Sequence, residues 1–113
     1  MPRRPATGAV AVPAETAVDV IADRYTGVVL DVDGVLVRLQ EPIDGAAETV
    51  AALRRRGLGL AFVTNNASRR PAEVAERLAA LGIPATAREV VTSAQAAVRV
   101  VGAQVPAGAA VLV

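Results

Sequence analysis

The chain has 113 residues, 53% of them hydrophobic and only 2% aromatic, which favours one core built from Val, Leu, Ile and Ala. A formal net charge of +1 gives no indication of a nucleic-acid or membrane partner. The absence of Cys and His excludes disulfides, thiolate chemistry and a Ser-His-Asp triad. No apolar run approaches the roughly 18 residues that span a bilayer, and the N-terminus lacks a signal-peptide pattern, so we expect a cytoplasmic protein.

The N-terminal region precedes the first strong pattern. Residues 1–13 are rich in Pro, Ala and Gly, which is typical of a flexible tail, and we predict a folded unit over residues 14–113. A short helix is expected at Ala14–Arg24. The apolar run Val28–Val32 then predicts a buried strand.

A helix and a second strand follow. The helix is predicted over Gly45–Arg56, with Asp44 as its N-terminal cap and Gly57 at its end. The second apolar run, Leu58–Thr64, predicts the second strand.

Two more helices and a last strand are expected. Pro71 suits a first helical position and Gly82 closes that helix, while Thr92 and Gln95 fit a capping box that begins the next one. The apolar run Ala109–Val113 is predicted to begin a third strand. The alternation predicts right-handed crossovers and a parallel sheet, a three-layer α/β/α architecture that breaks off after its third strand.

The polar residues that end the first two strands carry the chemistry. Asp31 and Thr64 are 33 residues apart, which suits one βαβ unit and places both strand ends at the ligand-binding edge of the sheet. Burying unpaired carboxylates is costly, so Asp31 and Asp33 indicate a cation. A carboxylate can attack phosphorus, a second can transfer a proton, and Mg²⁺ prefers hard oxygen ligands. Thr64, Asn65 and Asn66 add donors for phosphate oxygens.

Two segments resemble motifs of the haloacid dehalogenase superfamily. Asp31-Val32-Asp33-Gly34-Val35-Leu36 is similar to its first motif, and Phe62-Val63-Thr64-Asn65-Asn66-Ala67-Ser68 is similar to its second. The paired Asn resembles subfamily IIA, which includes p-nitrophenylphosphatase-like, phosphoglycolate and pyridoxal phosphatase-like enzymes. The similarity spans about residues 25–113, and two motifs at this spacing are a specific signal.

The resemblance implies a Rossmann-like core and a Mg²⁺-dependent phosphatase that forms an aspartyl-phosphate. It implies that Asp31 is the nucleophile and a metal ligand. It further implies that Asp33 is the acid/base and binds the metal through its backbone carbonyl. The phosphoryl group would be held by Thr64, Asn65 and Asn66, and the substrate would be a small phosphorylated metabolite.

The sequence also departs from the family pattern. The family uses a Lys and a later acidic motif, whereas all 12 basic residues here are Arg and the last acidic residue is Glu89. The cap domain that resembling proteins insert after the third strand is not contained in these 113 residues. We therefore interpret the chain as the N-terminal part of a phosphatase core, with little or no turnover of its own. An incomplete sheet further predicts self-association through its exposed edge.

Other interpretations of the same residues stay open. Asp31 and Asp33 can be read as solvated acids of a strand-end turn. A non-catalytic phosphate- or Mg²⁺-binding module fits the same residue types. A phospho-acceptor regulatory domain also uses strand-end acids, Thr and Mg²⁺, but it begins with adjacent acids and requires a Lys.

Overall fold

The computed structural model describes residues 22–112. The predicted tail and all but the last residues of the predicted helix Ala14–Arg24 lie outside the described residues. Among the helices of residues 22–112, none combines the length and apolar composition that crossing a membrane requires.

A parallel three-stranded sheet forms the centre of the fold. Its order is β1 (Gly27–Asp31), β4 (Gly59–Thr64) and β5 (Val90–Thr92), and Phe62 lies beside both Leu30 and Val90 in the register. The predicted parallel α/β sheet is confirmed.

A small hairpin interrupts the first crossover. It consists of β2 (Val37–Arg38) and β3 (Glu41–Pro42), which pair antiparallel. The sequence patterns did not predict this hairpin, because each strand has only two residues.

Three α-helices and one short 3-10 helix complete the described chain. They are α1 (Ala46–Arg55), α2 (Pro71–Ala80), the 3-10 helix Ala87–Glu89 and α3 (Ser93–Gln104). Pro71 occupies the first turn of α2, as predicted. The predicted capping box of α3 is also present: the Thr92 hydroxyl accepts a hydrogen bond from the Gln95 amide at 3.2 Å.

The sequence-based prediction of the third strand is wrong. Residues 109–112 form no strand, and the third strand of the sheet is Val90–Thr92, before α3. These three residues become a strand because they pair with β4, from Phe62 to Thr64. Three residues are too few to give a periodic signal, whereas the longer apolar run at 109–112 has no partner strand within residues 22–112.

The predicted cap of α1 is also wrong. The N-cap is Gly45, not Asp44, and no side chain makes the cap hydrogen bond. Gly45 has a φ of 85°, which glycine adopts at little cost, so the backbone turn replaces the side-chain cap. The predicted end at Gly57 is confirmed by its φ of 80°.

The helices α1 and α2 cover one face of the sheet. Because the strand order runs in one direction and parallel crossovers are right-handed, both helices fall on the same side. Phe62, Leu78 and Ile83 are fully buried between the two layers. On the opposite face Val29 is 69% exposed and Val91 is 43% exposed. The prediction of a buried strand is therefore only partly confirmed: Val28 and Leu30 are half-buried, and Val32, just after β1, is fully buried.

An ion pair links the end of α1 to the segment before β5. Arg54 Nη1 and Nη2 each donate to one carboxylate oxygen of Glu89 at 2.9 Å, and Nη2 also donates to the Pro84 carbonyl at 2.6 Å. The hydrogen bond from Arg54 lowers the pKa of Glu89 below its ordinary value, and the Arg54 charge acts in the same direction. This two-pronged contact ties the segment before β5 to the end of α1.

Truncating Phe62 should reveal the strength of the core. Phe62→Ala removes a fully buried ring from the central strand, so we expect the free energy of unfolding to fall by about 3–5 kcal/mol. Urea denaturation followed by circular dichroism measures the change. Val29→Thr keeps a β-branched residue on the exposed face and should stay within about 0.5 kcal/mol of the parent; equal losses would contradict the assigned core.

Replacing Glu89 should change how stability depends on pH. The folded-state pKa of Glu89 lies below its unfolded value of 4.5, so the pair contributes stability above that pH and loses it as the pH falls through the folded pKa. Glu89→Gln should cost on the order of 1 kcal/mol at pH 7, a difference that shrinks in acid. Thermal unfolding from pH 7 to pH 3 tests this, with the exposed Glu76→Gln as the control; a difference that persists at pH 3 would exclude the ionic contribution.

Candidate active site

The chain turns sharply where β1 ends. The Val32 amide still donates to the Val63 carbonyl at 3.1 Å, so the pairing with β4 continues one residue beyond Asp31. Gly34, at a φ of 88°, then donates its amide to the Val37 carbonyl at 2.7 Å. This turn places Asp31 and Asp33 at the carboxyl edge of the sheet.

Thr64 joins the ends of β4 and β1. Its side-chain Oγ1 lies 3.3 Å from Asp33 Oδ2 and donates a hydrogen bond to it. The same hydroxyl oxygen accepts a hydrogen bond from the Asn66 amide at 3.1 Å. Thr64 is buried, so this hydroxyl has defined partners on both sides. The predicted meeting of the two strand ends is therefore present for Asp33 and Thr64.

Asp31 and Asn65 border one cleft of about 400 Å³. The cleft is also lined by Thr64 and Ser93, at the start of α3. Ser93 Oγ donates to the Asn65 backbone carbonyl at 3.2 Å and so fixes the loop after β4. The arrangement brings a carboxylate, a hydroxyl and an amide side chain to one opening.

Asn66 lies differently from its predicted neighbours. Its side-chain oxygen accepts a hydrogen bond from the Ser68 amide at 2.9 Å, and Asn66 does not line the cleft that contains Asp31. This contact stabilises the turn between β4 and α2.

The two carboxylates are not buried. Asp31 is exposed, and the side chain of Asp33 is 46% exposed. The expectation that burial makes this pair costly is therefore wrong for the described residues. The strand end carries the acids out of the core, and the Thr64 hydroxyl and the Arg77 guanidinium lie next to the Asp33 carboxylate.

The donor set fits magnesium. Asp31 and Asp33 offer hard carboxylate oxygens at this edge of the sheet. Within residues 22–112 no three Asp, Glu, His or Cys side chains cluster as a ready-made metal site. Mg²⁺ is usually bound by one or two carboxylates together with waters and substrate phosphate, so two acids suffice for it.

Sequence reasoning missed Arg77. Its Nη2 donates to the Leu39 carbonyl at 2.6 Å, and its Nη1 lies 3.7 Å from Asp33 Oδ1. The local spacing instead suggests an i,i+4 pair with Glu73. The Glu73 carboxylate, however, accepts from the Arg70 amide at the start of α2.

The family is shown by a sequence comparison. The sequence profile of the haloacid dehalogenase-like hydrolases matches residues 28–113. The chain belongs to this family, and the expected superfamily and fold are confirmed.

Named relatives extend the comparison. The chain is 42% identical over 93 residues to D-glycerol 3-phosphate phosphatase from Mycobacterium tuberculosis, covering 82% of the chain and 26% of that relative. It is 43% identical over 72 residues to the 5'-nucleotidase YutF from Bacillus subtilis, covering 64% of the chain and 28% of that relative. The structure of a glycerol phosphate phosphatase from M. tuberculosis in complex with magnesium superposes with a TM-score of 0.73 at 39% identity, over 79% of the chain and 26% of that structure. The chain thus spans between a quarter and a third of the length of these relatives.

Removing the Thr64 hydroxyl should loosen the link between the strand ends. Thr64→Val keeps the shape but leaves the Asn66 amide without its acceptor, so we expect a loss of about 1–2 kcal/mol in the free energy of unfolding. Thr64→Ser retains the hydroxyl and is the matched control. Urea denaturation measures both variants; a valine variant as stable as the serine variant would show that the hydrogen bonds contribute nothing.

Proposed function

We propose that this protein is a magnesium-dependent phosphomonoester hydrolase that acts through an aspartyl-phosphate on Asp31. The observation that carries the proposal is the arrangement at the sheet edge, where Asp31 borders the same cleft as Thr64 and Thr64 hydrogen-bonds Asp33. Relatives named as phosphatases support it.

The proposed reaction has two steps. In the first, an Asp31 carboxylate oxygen forms a bond to phosphorus, the ester P–O bond breaks, and Asp33 gives its proton to the leaving oxygen. In the second, Asp33 takes a proton from water, the water oxygen attacks phosphorus, and the acyl-phosphate bond breaks to release phosphate and restore Asp31. Bound magnesium would offset the repulsion between Asp31 and the phosphate, with Asp31 and the Asp33 carbonyl as its ligands.

The neighbouring polar residues have distinct proposed roles. Thr64 and Asn65 line the cleft. The Asn65 side-chain amide would donate to a phosphate oxygen, and Thr64 would do so once its hydroxyl proton turns from Asp33 to the phosphate. For Asn66 we retain phosphate binding through its amide group, since its side-chain oxygen is already engaged by Ser68. Ser93 holds the Asn65 carbonyl and thereby orients that loop.

We further propose that residues 14–113 are the N-terminal portion of a larger hydrolase core. The chain covers 26% of the glycerol 3-phosphate phosphatase relative and contains no Lys, the residue that the family uses against phosphate charge. The chain alone would then have little turnover. The substrate class is small phosphorylated metabolites, and a cytoplasmic location stays a prediction of the sequence.

A non-catalytic phosphate- or magnesium-binding module is the second candidate. Two observations favour it: residues 22–112 contain no cluster of three metal-ligating side chains, and the sequence contains no Lys. Magnesium plus beryllofluoride, which mimics a phosphorylated aspartate, separates the candidates. Tight binding by a complete gene product that shows no turnover would favour the module or a phospho-acceptor domain.

Substitution of Asp31 tests the main proposal. In the complete gene product that contains these residues, Asp31→Asn should lower magnesium-dependent hydrolysis of p-nitrophenyl phosphate at least about 1,000-fold, because the amide is a poor nucleophile. Asp33→Asn should lower it about 100- to 10,000-fold. Asp44→Asn, at an exposed loop position, is the control. Retention of more than a tenth of the activity by Asp31→Asn would exclude the aspartyl-phosphate route.

A further inference from the structure

We propose that Arg77 is a positioning residue that holds Asp33 in place by connecting it to the tip of the β2–β3 hairpin. The inference rests on the proposed function, in which Asp33 transfers the proton. It adds a residue on α2, outside the two motifs, to the group that orients this acid.

Arg77 makes two contacts across the fold. Its Nη2 donates to the Leu39 carbonyl at 2.6 Å, a strong hydrogen bond across 38 residues of sequence. Its Nη1 faces Asp33 Oδ1 at 3.7 Å. The planar guanidinium has a fixed geometry, so the first contact restricts where the second nitrogen lies.

The tip of the β2–β3 hairpin has an unfavourable backbone conformation at Leu39. Leu39 has a φ of 58°, the only positive φ of a non-glycine residue within residues 22–112, and this conformation costs a leucine about 1 kcal/mol. Its side chain is 85% exposed, so packing does not hold the tip in this conformation. The hydrogen bond from Arg77 to the Leu39 carbonyl holds the tip together with the backbone pairing of Arg38 and Glu41 that flanks it.

The two oxygens of Asp33 then have different partners. Thr64 donates to Oδ2 at 3.3 Å, and Arg77 faces Oδ1. The hydroxyl of β4 and the guanidinium of α2 together restrict rotation of the carboxyl group. Movement of the hairpin tip would draw Arg77 with it and remove one of these two restraints.

Arg77 contacts Asp33 rather than a neighbour on its own helix. The helix neighbour that could pair with it, Glu73, bonds the Arg70 amide instead. The Arg77 side chain is only 21% exposed, so it is held against the site rather than solvated. These contacts distinguish Arg77 from the exposed arginines Arg69 and Arg99.

Leaving-group dependence is the decisive measurement. A misplaced proton donor matters most when the leaving oxygen is basic, so Arg77→Met in the complete gene product should lower kcat/KM roughly 30-fold on phenyl phosphate. The loss should be only about 3-fold on p-nitrophenyl phosphate, whose leaving group needs little protonation. Arg77→Lys should recover part of the loss, and Arg99→Met should change neither substrate. Equal losses on both substrates, or no loss, would overturn the inference.

Amide hydrogen exchange separates this inference from the proposed function. In Arg77→Met, the hairpin amides should exchange at least about 5-fold faster, while those of β4 keep their rates. A parent protein that hydrolyses neither substrate would refute the proposed function. The exchange rates would then show by themselves whether Arg77 holds the hairpin. Unchanged exchange in the hairpin would overturn the role of Arg77 whatever the activity.

Discussion

The parallel pairing of β1 with β4 is the constraint on which the site depends. Asp31 lies beside Val63 in the register, and the Val32 amide reaches the Val63 carbonyl beyond the end of β1. Because parallel strands end at the same edge, this pairing brings residues from distant parts of the chain to one rim. The turn after Asp33 then brings Asp33 within hydrogen-bonding distance of Thr64. The backbone pairing of β1 with β4 therefore determines which side chains meet at this edge.

The apolar core and the polar site lie in different parts of the fold. One face of the sheet and two helices bury Phe62 and Leu78, while the acids stand at the rim, outside the core. The scaffold therefore avoids the cost of burying carboxylates. The Thr64 hydroxyl and the Arg77 guanidinium contact Asp33 instead, while Asp31 is exposed. The region that matches the family, residues 28–113, includes the ends of both β1 and β4.

Much of the fold and several members of the site follow from local sequence patterns. Pro71 and the Thr92–Gln95 capping box begin their helices as predicted, because these signals act within one helical turn. The residues at this edge could be predicted for two reasons. The end of a strand is visible in the local sequence, and parallel strands of a sheet always end at the same edge. The prediction failed at residues 90–92 and 109–112, where pairing with β4, rather than apolar content, decided which segment became a strand.

The sequence by itself determined the order of the main helices and of the strands β1 and β4, and it determined the family. It also determined the acids and amides that end those two strands. Only the tertiary structure decided that Arg54 pairs with Glu89 and that Arg77 reaches Asp33 instead of its helix neighbour. The physical reason is range. Helix signals and caps act over three or four residues, whereas these ion pairs join residues 35 and 44 positions apart, whose distance is set by how the helices pack on the sheet.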